Sequence, residues 1–414
     1  MTDDLVRRLL DVIPRLERPV VWLEDGASRG RVRLAWGART RHRVPWDPGA
    51  DGVDSLRVAV AGSRLYGVLA YDLGLPPRAA RHRPPVAQPL VDLFEPQHEL
   101  IIDVPRNAIV TGIMPDTVDA ADPIPPVLRS SRSPVALLSR SFTQPAFEAA
   151  VRRIQDHIAA GDVYQINLAL AECFAVGATP WEVYLRVRAI NPSPWMGFAD
   201  FGDWQIVSGS PELLVEVGRR GGPDGLEIRT RPIAGTRKKT GDPARDAAMR
   251  SELVLDPKEQ AEHRMLVDLA RNDVGRVATF GSVRVAAREE VEEYSHVFHL
   301  VSEVVGTLRS DLGSWDAVAA LFPGGTITGA PKIRAMELIA DLEPVARGAY
   351  TGGLGWIAPE GTQFNILIRS AVFRDGVACV QAGAGIVWDS DPAREWRESR
   401  RKGSAMRLAL GCTA

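Results

Sequence analysis

Short apolar runs broken by turn residues characterise the beginning of the chain. Over residues 1–110 these runs, such as Val20 to Leu23 and Leu56 to Val60, are interrupted by Gly, Pro and Asp. This spacing predicts β-strands joined by turns. Similar runs recur later, and we expect further strands near residues 163–170, 205–208, 213–217, 351–357, 364–373 and 377–387.

Helical periodicity begins after residue 143. Phe147, Val151 and Ile154 recur at steps of three and four, which predicts a helix that starts near Gln144 and ends at Gly161. The same pattern predicts a long helix over residues 243–272, another over 330–341, and a C-terminal helix from about Pro392.

A polar, proline-rich segment separates a β-rich N-terminal region from the rest of the chain. Residues 113–135 are rich in Pro, Ser and Asp, which is typical of an exposed connection. We therefore expect a β-rich N-terminal region over residues 1–125 that packs on a core over 136–414, the two forming one integrated domain. The 414 residues are 45% hydrophobic and 25% charged, as in ordinary globular proteins.

Charge and cysteine content narrow the function classes. The formal net charge of -2 gives no electrostatic case for nucleic acid or an anionic membrane. The N-terminus lacks a signal-peptide core, and no apolar run approaches the length of a membrane helix. Cys173, Cys379 and Cys412 are widely spaced and form no CxxC motif, so we expect no disulfide framework, no zinc site and a reducing, cytoplasmic location.

Two pairs of glutamates stand out as candidate metal ligands. Residues 258–263 read K-E-Q-A-E-H, and residues 395–402 read E-W-R-E-S-R-R-K. On a helix, Glu259 and Glu262 share one face, as do Glu395 and Glu398. Hard carboxylate ligands from two helices suit Mg²⁺. Either motif alone is equally compatible with a solvated, charged helix face.

Seven segments carry a resemblance to a known family. They read G-D-V-Y-Q-I-N-L-A (161–169), S-G-S-P-E-L-L (208–214), R-P-I-A-G-T-R (231–237), K-E-Q-A-E-H-R-M-L-V-D-L-A-R-N-D-V-G-R-V (258–277), Y-S-H-V-F-H-L-V-S (294–302), F-P-G-G-T-I-T-G-A-P-K-I-R-A-M-E (322–337) and Q-A-G-A-G-I-V-W-D-S-D-P-A-R-E-W-R-E-S (381–399). In this order they resemble the chorismate-utilising enzymes. The resemblance implies an α+β fold in which two packed antiparallel sheets are surrounded by helices.

The resemblance also implies roles for individual residues. The four glutamates would hold Mg²⁺, which anchors the ring carboxylate of chorismate, and Glu212 would be the general acid that protonates the leaving 4-hydroxyl. The other residues implied for the site are His299 near that hydroxyl, Arg369 and Tyr350 for the second carboxylate, Gly235, Thr236, Gly383 and Gly385 for backbone contacts to a carboxylate, and Lys402 for a carboxylate or the glutamates. Each of four residues also has a purely structural alternative. Arg369 could form a structural ion pair, and Tyr350 could be a packing tyrosine. Glu212 could be a capping or surface glutamate, and His299 could be a core histidine.

Two positions bear on the branch of the family. Gln165 stands where the water-adding isochorismate and salicylate synthases carry a lysine base, and a neutral amide cannot serve as that base. Amination is therefore favoured over hydration. Ala234 stands where many aminodeoxychorismate synthases resemble P-I-K-G-T and use the lysine as a nucleophile, and alanine is typical of anthranilate synthases. Lys238 and Lys239 follow nearby, where we expect solvated charges on a loop.

Other segments also help to choose between the aminodeoxychorismate and anthranilate branches. Trp22-Leu23-Glu24-Asp25 replaces the L-L-E-S stretch that anthranilate synthases use to bind feedback tryptophan. Y-D-L-G (71–74) and F-N-I-L-I-R (364–369) resemble the aminodeoxychorismate branch, whereas N-P-S-P-W-M (191–196) resembles the anthranilate branch. We favour amination of chorismate to 4-amino-4-deoxychorismate and keep anthranilate synthesis as the alternative.

The ammonia source is expected on a partner. Cys173 lies in A-E-C-F-A rather than in a glycine-rich nucleophile turn, and the chain has no room for a glutaminase domain. A glutamine amidotransferase subunit is therefore implied. The segment F-P-G-G-T-I-T-G-A-P-K lacks the Lys-Ser/Thr ending of a phosphate loop, so we expect it to line the pocket instead. The alternative to an enzyme is a catalytically inactive regulatory or scaffolding subunit with the same fold. The presence of Glu212, Glu259, Glu262, Glu395 and Glu398 argues against it.

Overall fold

The computed structural model describes residues 4–26, 30–46, 56–57, 60, 62–79, 82–115, 134–219, 225–294 and 297–412. Most of the predicted connection over residues 113–135 lies outside these ranges. Among the described helices, none is long and apolar enough to cross a membrane.

The described residues form helices and strands over most of their length. The helices are α1 (Asp4–Leu10), α2 (Gln144–Ala159), α3 (Pro180–Ile190), α4 (Pro243–Leu255), α5 (Pro257–Gly275), α6 (Ser314–Leu321), α7 (Lys332–Leu342), α8 (Pro392–Lys402) and α9 (Ser404–Leu410). The strands are β1 (Val20–Asp25), β2 (Arg31–Val44), β3 (Leu65–Leu69), β4 (Val91–Asp103), β5 (Ala108–Thr111), β6 (Val135–Arg140), β7 (Gln165–Val176), β8 (Trp195–Asp200), β9 (Gln205–Ser210), β10 (Leu213–Gly218), β11 (Glu227–Thr230), β12 (Ile233–Lys238), β13 (Arg284–Glu293), β14 (Val297–Thr307), β15 (Gly329–Ala330), β16 (Gly353–Ala358), β17 (Gly361–Ile366), β18 (Ser370–Arg374) and β19 (Val377–Ile386).

All strand pairings are antiparallel, and they build two layers. The first layer runs β6–β7–β19–β18–β9–β8–β1–β2. The second runs β13–β14–β11–β10–β17–β16–β3–β4, with β12 also beside β14. The long strands β2 and β4 pair with each other and join the layers. Their register shifts between Ala38 and Thr40, just after Gly37 at φ 65°.

The interior between the layers is apolar. Side chains from both layers meet there, including Val21, Ala35, Tyr66, Phe94, Trp204, Ile206, Leu354 and Val372. The outer face of the first layer packs against α1, α3 and α9, and that of the second packs against α5, α6 and α7. Burial of alternate strand faces on both sides explains why so many strands are apolar along their whole length. The predicted α+β architecture of two packed antiparallel sheets is confirmed.

The predicted helix over residues 243–272 is two helices. Asp256 ends α4 and caps α5, because its carboxylate accepts hydrogen bonds from the backbone N–H groups of Lys258 and Glu259. Pro257 then occupies the first helical position, where its missing N–H costs nothing. The predicted strand over 364–373 is also divided, between Ile366 and Ser370, where Arg369 adopts φ 53°.

The expectation that the cysteines form no disulfide is wrong for one pair. Cys173 of β7 and Cys379 of β19 are direct cross-strand partners, and a disulfide joins them across a Cα–Cα distance of 4.1 Å. The two residues are 206 positions apart, so their spacing in the sequence does not reveal that the strands are neighbours. Cys412 has a free thiol.

Candidate active site

The two glutamate pairs lie near the beginnings of α5 and α8. Both helices start with proline after an aspartate cap, Asp256 and Asp391 respectively. Burial raises the pKa of both Glu262 and Glu395, and the charges of Lys402 and Lys258 oppose the shift at each. Glu262 of α5 and Glu395 of α8 therefore lie within electrostatic range of the same two lysines. Their joint role as metal ligands stays a prediction.

Burial makes ionisation costly at one member of each pair. The pKa of Glu262 is raised by burial and then by the neighbouring charge of Glu259. The pKa of Glu395 is likewise raised by burial and by the charge of Glu398, while the Ser390 side chain opposes the shift. Repulsion between like charges in a dry site is relieved by a bound cation.

The other two glutamates form ion pairs with basic side chains of the protein. Arg237 Nη1 lies 3.0 Å from Glu259 Oε1, and Lys402 Nζ lies 3.2 Å from Glu398 Oε1. Burial alone would raise the pKa of Glu398, but Lys402 and nearby arginines outweigh it and the pKa falls below its ordinary value. Within the described ranges, no three acidic, histidine or cysteine side chains converge closely enough to hold a metal as they stand. Carboxylate oxygens nevertheless fit Mg²⁺ chemically, and the ion would compete with Arg237 and Lys402.

Glu212 is held in a buried turn between β9 and β10. Its N–H donates to Ser210 Oγ at 3.2 Å, and the Ser210 hydroxyl donates to the Ile366 carbonyl at 2.6 Å. Its side chain is 5% exposed. Burial raises the pKa of Glu212 to about 7, against the opposing effects of the Thr326 hydroxyl and the Ile233 backbone. A carboxyl with this pKa can be protonated near neutral pH, as a general acid must be.

His299 is buried on β14 opposite Thr236 of β12. Its Nδ1 lies 3.0 Å from the Gly235 carbonyl oxygen and 3.1 Å from Thr236 Oγ1. A carbonyl can only accept, so the contact to Gly235 places the hydrogen on Nδ1 and leaves Nε2 as an acceptor. Burial lowers the pKa of His299 to about 4, which keeps the ring neutral. Among the described residues Nε2 has no hydrogen-bond partner, so the core-histidine alternative explains the burial of His299 but not this unused acceptor.

The glycines occupy positions where a side chain would collide with the site. At Gly235, which adopts φ 63°, an added Cβ would lie 2.7 Å from Leu253 Cδ1 and 3.1 Å from Glu259 Oε2. At Gly385 the Cβ would lie 2.4 Å from Gln165 Nε2. At Gly383 it would lie 2.6 Å from the Leu168 carbonyl oxygen. Glycine suits these positions because neighbouring protein atoms occupy the space that a Cβ would take.

Arg369 and Tyr350 are buried near each other. Burial lowers the pKa of Arg369, and the nearby Tyr350 opposes this shift. In the part of the chain that the structure describes, no carboxylate forms an ion pair with Arg369, so the structural ion-pair interpretation is not supported there. Tyr350 is 7% exposed, and burial raises its pKa, so the phenol keeps its proton. The guanidinium is available for a substrate carboxylate.

Gln165 begins β7 next to the α5 glutamates. Its Nε2 donates to Glu262 Oε1 at 3.0 Å, while its own Oε1 is buried and has no hydrogen-bond partner among the described residues. An unpaired buried acceptor is costly and suggests that a ligand or water completes it. Ala234 is 8% exposed on β12, and Lys239 forms an ion pair with Glu293 at 2.5 Å. Lys238 closes β12 instead of lying on a loop.

Sequence reasoning missed two residues of this site. Thr326, in the short 3₁₀ turn Gly325–Ile327, faces Glu212, and Arg237 binds Glu259 together with Asp256. Both lie in segments that carried the resemblance. Their side-chain types alone gave no signal, because a lone Thr or Arg is common on protein surfaces.

The match to a family model decides the classification. A model described as chorismate binding enzyme matches residues 36–408. The chain belongs to the chorismate binding enzyme family. Almost every strand and helix that positions the site, from β2 to α9, falls within the matched range.

Relatives within the chorismate binding family include two synthases. Aminodeoxychorismate synthase component 1 of Bacillus subtilis is 47% identical over 270 residues, which cover 65% of this chain and 56% of that protein. Anthranilate synthase component 1 of Cereibacter sphaeroides is 37% identical over 399 residues, covering 86% of this chain and 78% of the relative. The match thus spans little more than half the length of the first relative.

A solved structure has the same architecture. The crystal structure of anthranilate synthase component I from Streptococcus pneumoniae TIGR4 superimposes with a TM-score of 0.79 at 30% identity, covering 92% of each chain. This chain therefore belongs to the chorismate binding enzyme family by sequence and has the fold of that structure. The relatives carry two different activities, so the comparisons do not separate the two branches.

Proposed function

We propose that this chain aminates chorismate at C4 to give 4-amino-4-deoxychorismate, with ammonia from a glutamine amidotransferase subunit. The observation that carries the proposal is the hydrogen bond of 3.0 Å from Gln165 Nε2 to Glu262. An amide fills the position at which a water-adding enzyme needs a base, and an amide cannot take a proton from water. Ammonia needs no such base, because it is already a nucleophile.

Substrate binding would use both sides of the site. Arg369 and Tyr350 bind the side-chain carboxylate, and the backbone near Gly383 and Gly385 approaches the ring carboxylate. Glu259, Glu262, Glu395 and Glu398 would hold Mg²⁺. When bound, the ion would neutralise the ring carboxylate and support departure of the leaving group.

Glu212 would drive the bond-breaking step. Its protonated carboxyl transfers the proton to the 4-hydroxyl as the C4–O bond breaks, and water leaves. Ammonia forms the C4–N bond and loses one proton, which restores the acid form of Glu212. The neutral His299 accepts a hydrogen bond at Nε2 from the leaving hydroxyl and so orients it. This sequence consumes chorismate and ammonia and yields the amino product and water, without a lysine nucleophile.

The contacts of strand β1 favour the C4 branch. Glu24 accepts hydrogen bonds from Trp22 Nε1 at 3.0 Å and from Arg188 Nε at 2.7 Å, and it also contacts the Tyr184 hydroxyl. Trp22 is fully buried. This segment stands in place of the stretch that anthranilate synthases use for tryptophan, and its carboxylate is already engaged. We therefore propose an enzyme that tryptophan does not inhibit.

A second candidate rests on Ala234. This residue is 8% exposed and lies opposite Leu300, so no nucleophile is available at the position that many C4-aminating enzymes fill with lysine. Ammonia would then attack C2 while the C4–O bond breaks and the 4-hydroxyl leaves as water, and elimination of pyruvate would give anthranilate. The remaining site residues serve both reactions, so only the product distinguishes them.

A separate ammonia source is part of the proposal. Of the described cysteines, Cys173 and Cys379 are joined in a disulfide, so neither can serve as a glutaminase nucleophile. Cys412 lies at the end of α9, and burial raises the pKa of its thiol, which makes it a poor nucleophile. The relatives bear the name component 1.

The experiment that separates the branches is product analysis. The purified chain is incubated with chorismate, Mg²⁺ and ammonium, with and without an aminodeoxychorismate lyase. p-Aminobenzoate that appears only with the lyase supports C4 amination. Anthranilate formed without the lyase rejects it in favour of the second candidate.

A further inference from the structure

A fully buried ion pair lies behind the active site. Arg347 is 1% exposed and Glu343, at the end of α7, is 4% exposed. The guanidinium contacts both carboxylate oxygens, with Nη2 at 2.7 Å from Oε1 and Nε at 3.0 Å from Oε2. Burial of two charges is expensive and adds little net stability relative to apolar residues. The cost suggests a role other than stability.

The pair lies along a short stretch of one edge of β7 that pairs with no described strand. At the two ends of this stretch the Asn167 N–H donates to the Thr328 carbonyl at 2.8 Å, and the Ala171 N–H donates to Ser141 Oγ at 2.9 Å. On this edge β6 pairs only as far as Glu172, and β15 pairs only at Gln165 and Ile166. In the gap, Arg347 Nη2 donates to the Asn167 carbonyl at 2.6 Å, and Glu343 Oε1 accepts from the Ala169 N–H at 2.9 Å. The carboxylate and the guanidinium thus make the hydrogen bonds that a neighbouring strand would otherwise supply.

The same guanidinium reaches a second part of the active site. Arg347 Nη1 donates to the Ile327 carbonyl at 2.7 Å. Ile327 ends the short turn whose Thr326 faces Glu212. One side chain therefore joins the β7 edge, two residues from Gln165, to the turn beside the general acid.

The backbone of Arg347 makes further contacts. Its carbonyl accepts from Gln381 Nε2 at 2.8 Å and from the Tyr350 N–H at 3.2 Å. The next residue, Gly348, donates its N–H to the buried Asp72 at 2.6 Å. These contacts fix the ends of the segment that presents Tyr350, and they do not depend on the Arg347 side chain.

We propose that the Glu343–Arg347 pair is a positioning device that takes the place of a missing strand and fixes Gln165 and Thr326 for the reaction. In the part of the chain that the structure describes, the pair forms no hydrogen bond or ion pair with the four candidate metal ligands. The catalytic consequence rests on the proposed function, because the reaction assigns roles to Gln165 and to Glu212. The structural consequence, protection of the β7 edge, does not.

The test replaces the pair by apolar residues of similar size. In the Glu343→Leu/Arg347→Met variant the two charges are removed together, so neither is left buried without the other. The Asn167 and Ile327 carbonyls and the Ala169 N–H lose their partners, so we expect a folded protein with a melting temperature below that of the wild type. We expect kcat for ammonium-dependent chorismate turnover to fall about 100-fold, because small displacements of catalytic groups have effects of this size. KM should change less than kcat. The guanidinium lies 5.8 Å from the centroid of the Tyr350 ring, but the backbone contacts of residues 347 and 348 still hold the segment that carries Tyr350. Hydrogen exchange at the amide of Ala169 should become faster.

A matched control lies on the same strand. Glu172 of β7 is also buried and ion-paired, with Arg140 and Arg407, but it lies toward the other end of the strand. Glu172→Gln should lower the melting temperature and leave kcat unchanged. If the double variant does not fold, Arg347→Lys takes its place in the test. Lysine keeps the charge but cannot reach both carbonyls and both carboxylate oxygens, so we expect a partial loss of kcat.

The outcomes separate the two proposals. Wild-type kcat in the double variant, or in Arg347→Lys if the double variant is unfolded, would overturn the positioning role. If the wild-type chain does not turn over chorismate with ammonium, the proposed reaction fails. In that case unchanged exchange at Ala169 would overturn the strand-replacement role as well, and faster exchange would support it.

Discussion

Gln165 Nε2 donates a hydrogen bond of 3.0 Å to Glu262 Oε1 and thereby links the first residue of β7 to a candidate metal ligand on α5. The contact lowers the pKa of Glu262 against the stronger effect of burial. It also fixes the amide where Gly385 leaves space for it, since a Cβ on Gly385 would lie 2.4 Å from that nitrogen. The nature of the group at position 165 therefore bears on which nucleophile the site accepts.

Gln165→Lys tests this relationship. A lysine here would form an ion pair with Glu262 and could act as a base toward water. We expect ammonium-dependent product to fall by about tenfold or more, and isochorismate to appear, as measured by chromatography of the products. Gln165→Leu is the control, which should lose amination without gaining isochorismate. Undiminished amination by the lysine variant would contradict the assigned role.

Glu212 should impose a pH limit on activity. Its acid form is required, and its pKa of about 7 in the substrate-free protein means that kcat/KM should fall as pH rises through neutrality. Glu212→Gln should lose turnover at every pH while chorismate binding, measured by calorimetry, is kept. A Glu212→Gln variant with the wild-type pH profile would remove Glu212 from the mechanism.

Glu212 should also make the free energy of unfolding depend on pH, and its raised pKa fixes the direction of that dependence. Because burial raises the folded-state pKa of Glu212 above its ordinary value of 4.5, its protonated form stabilises the fold at low pH, and this contribution is lost as pH rises from about 4.5 through about 7. Glu212→Gln should therefore exceed the wild type in unfolding free energy by about 3 kcal/mol at alkaline pH, with a much smaller difference in acid. Urea titrations at the two pH values measure it. An equal difference at both pH values would argue against a raised pKa.

Mg²⁺ binding should depend on glutamates from both helices. Glu262→Gln and Glu398→Gln should each lower turnover more than about 100-fold. Both should also abolish the Mg²⁺-induced change in tryptophan fluorescence expected from Trp396, which lies between Glu395 and Glu398 on α8. Glu227→Gln on β11 is the control and should behave as the wild type. Retention of the Mg²⁺ response by both site variants would contradict the ligand assignment.

Arg369 should contribute mainly to substrate binding. Arg369→Lys keeps the charge but loses bidentate hydrogen bonding to a carboxylate, so KM for chorismate should rise about 10- to 100-fold. Steady-state kinetics measures this. Arg374→Lys, five residues further on β18, is the control. Wild-type KM in Arg369→Lys would indicate that Arg369 does not hold a substrate carboxylate.

Much of the architecture could be predicted from local sequence. The periodicity around Phe147 and Ile154 located α2, and the capping aspartates with following prolines explain where α5 and α8 begin. The glutamate pairs then follow from helix geometry. The break at Asp256 was missed because its neighbours continue the apolar pattern, although the Asp-Pro sequence carried the signal.

Long-range pairing could not be predicted in the same way. Cys173 and Cys379 meet only because β7 and β19 are neighbours, and Arg347 reaches Asn167 across 180 positions. The pKa of Glu212 also depends on burial by distant segments. Periodicity reports which face of an element is buried, but it does not report which element covers that face.

The most direct test of the central claim is whether nitrogen from ammonia enters the product. The purified chain is incubated with chorismate, Mg²⁺ and ammonium labelled with nitrogen-15, and the product is analysed by mass spectrometry. We expect one labelled nitrogen in an aminated product, formed in proportion to the chorismate consumed. Consumption of chorismate to an unlabelled isochorismate, or no consumption at all, would contradict the account.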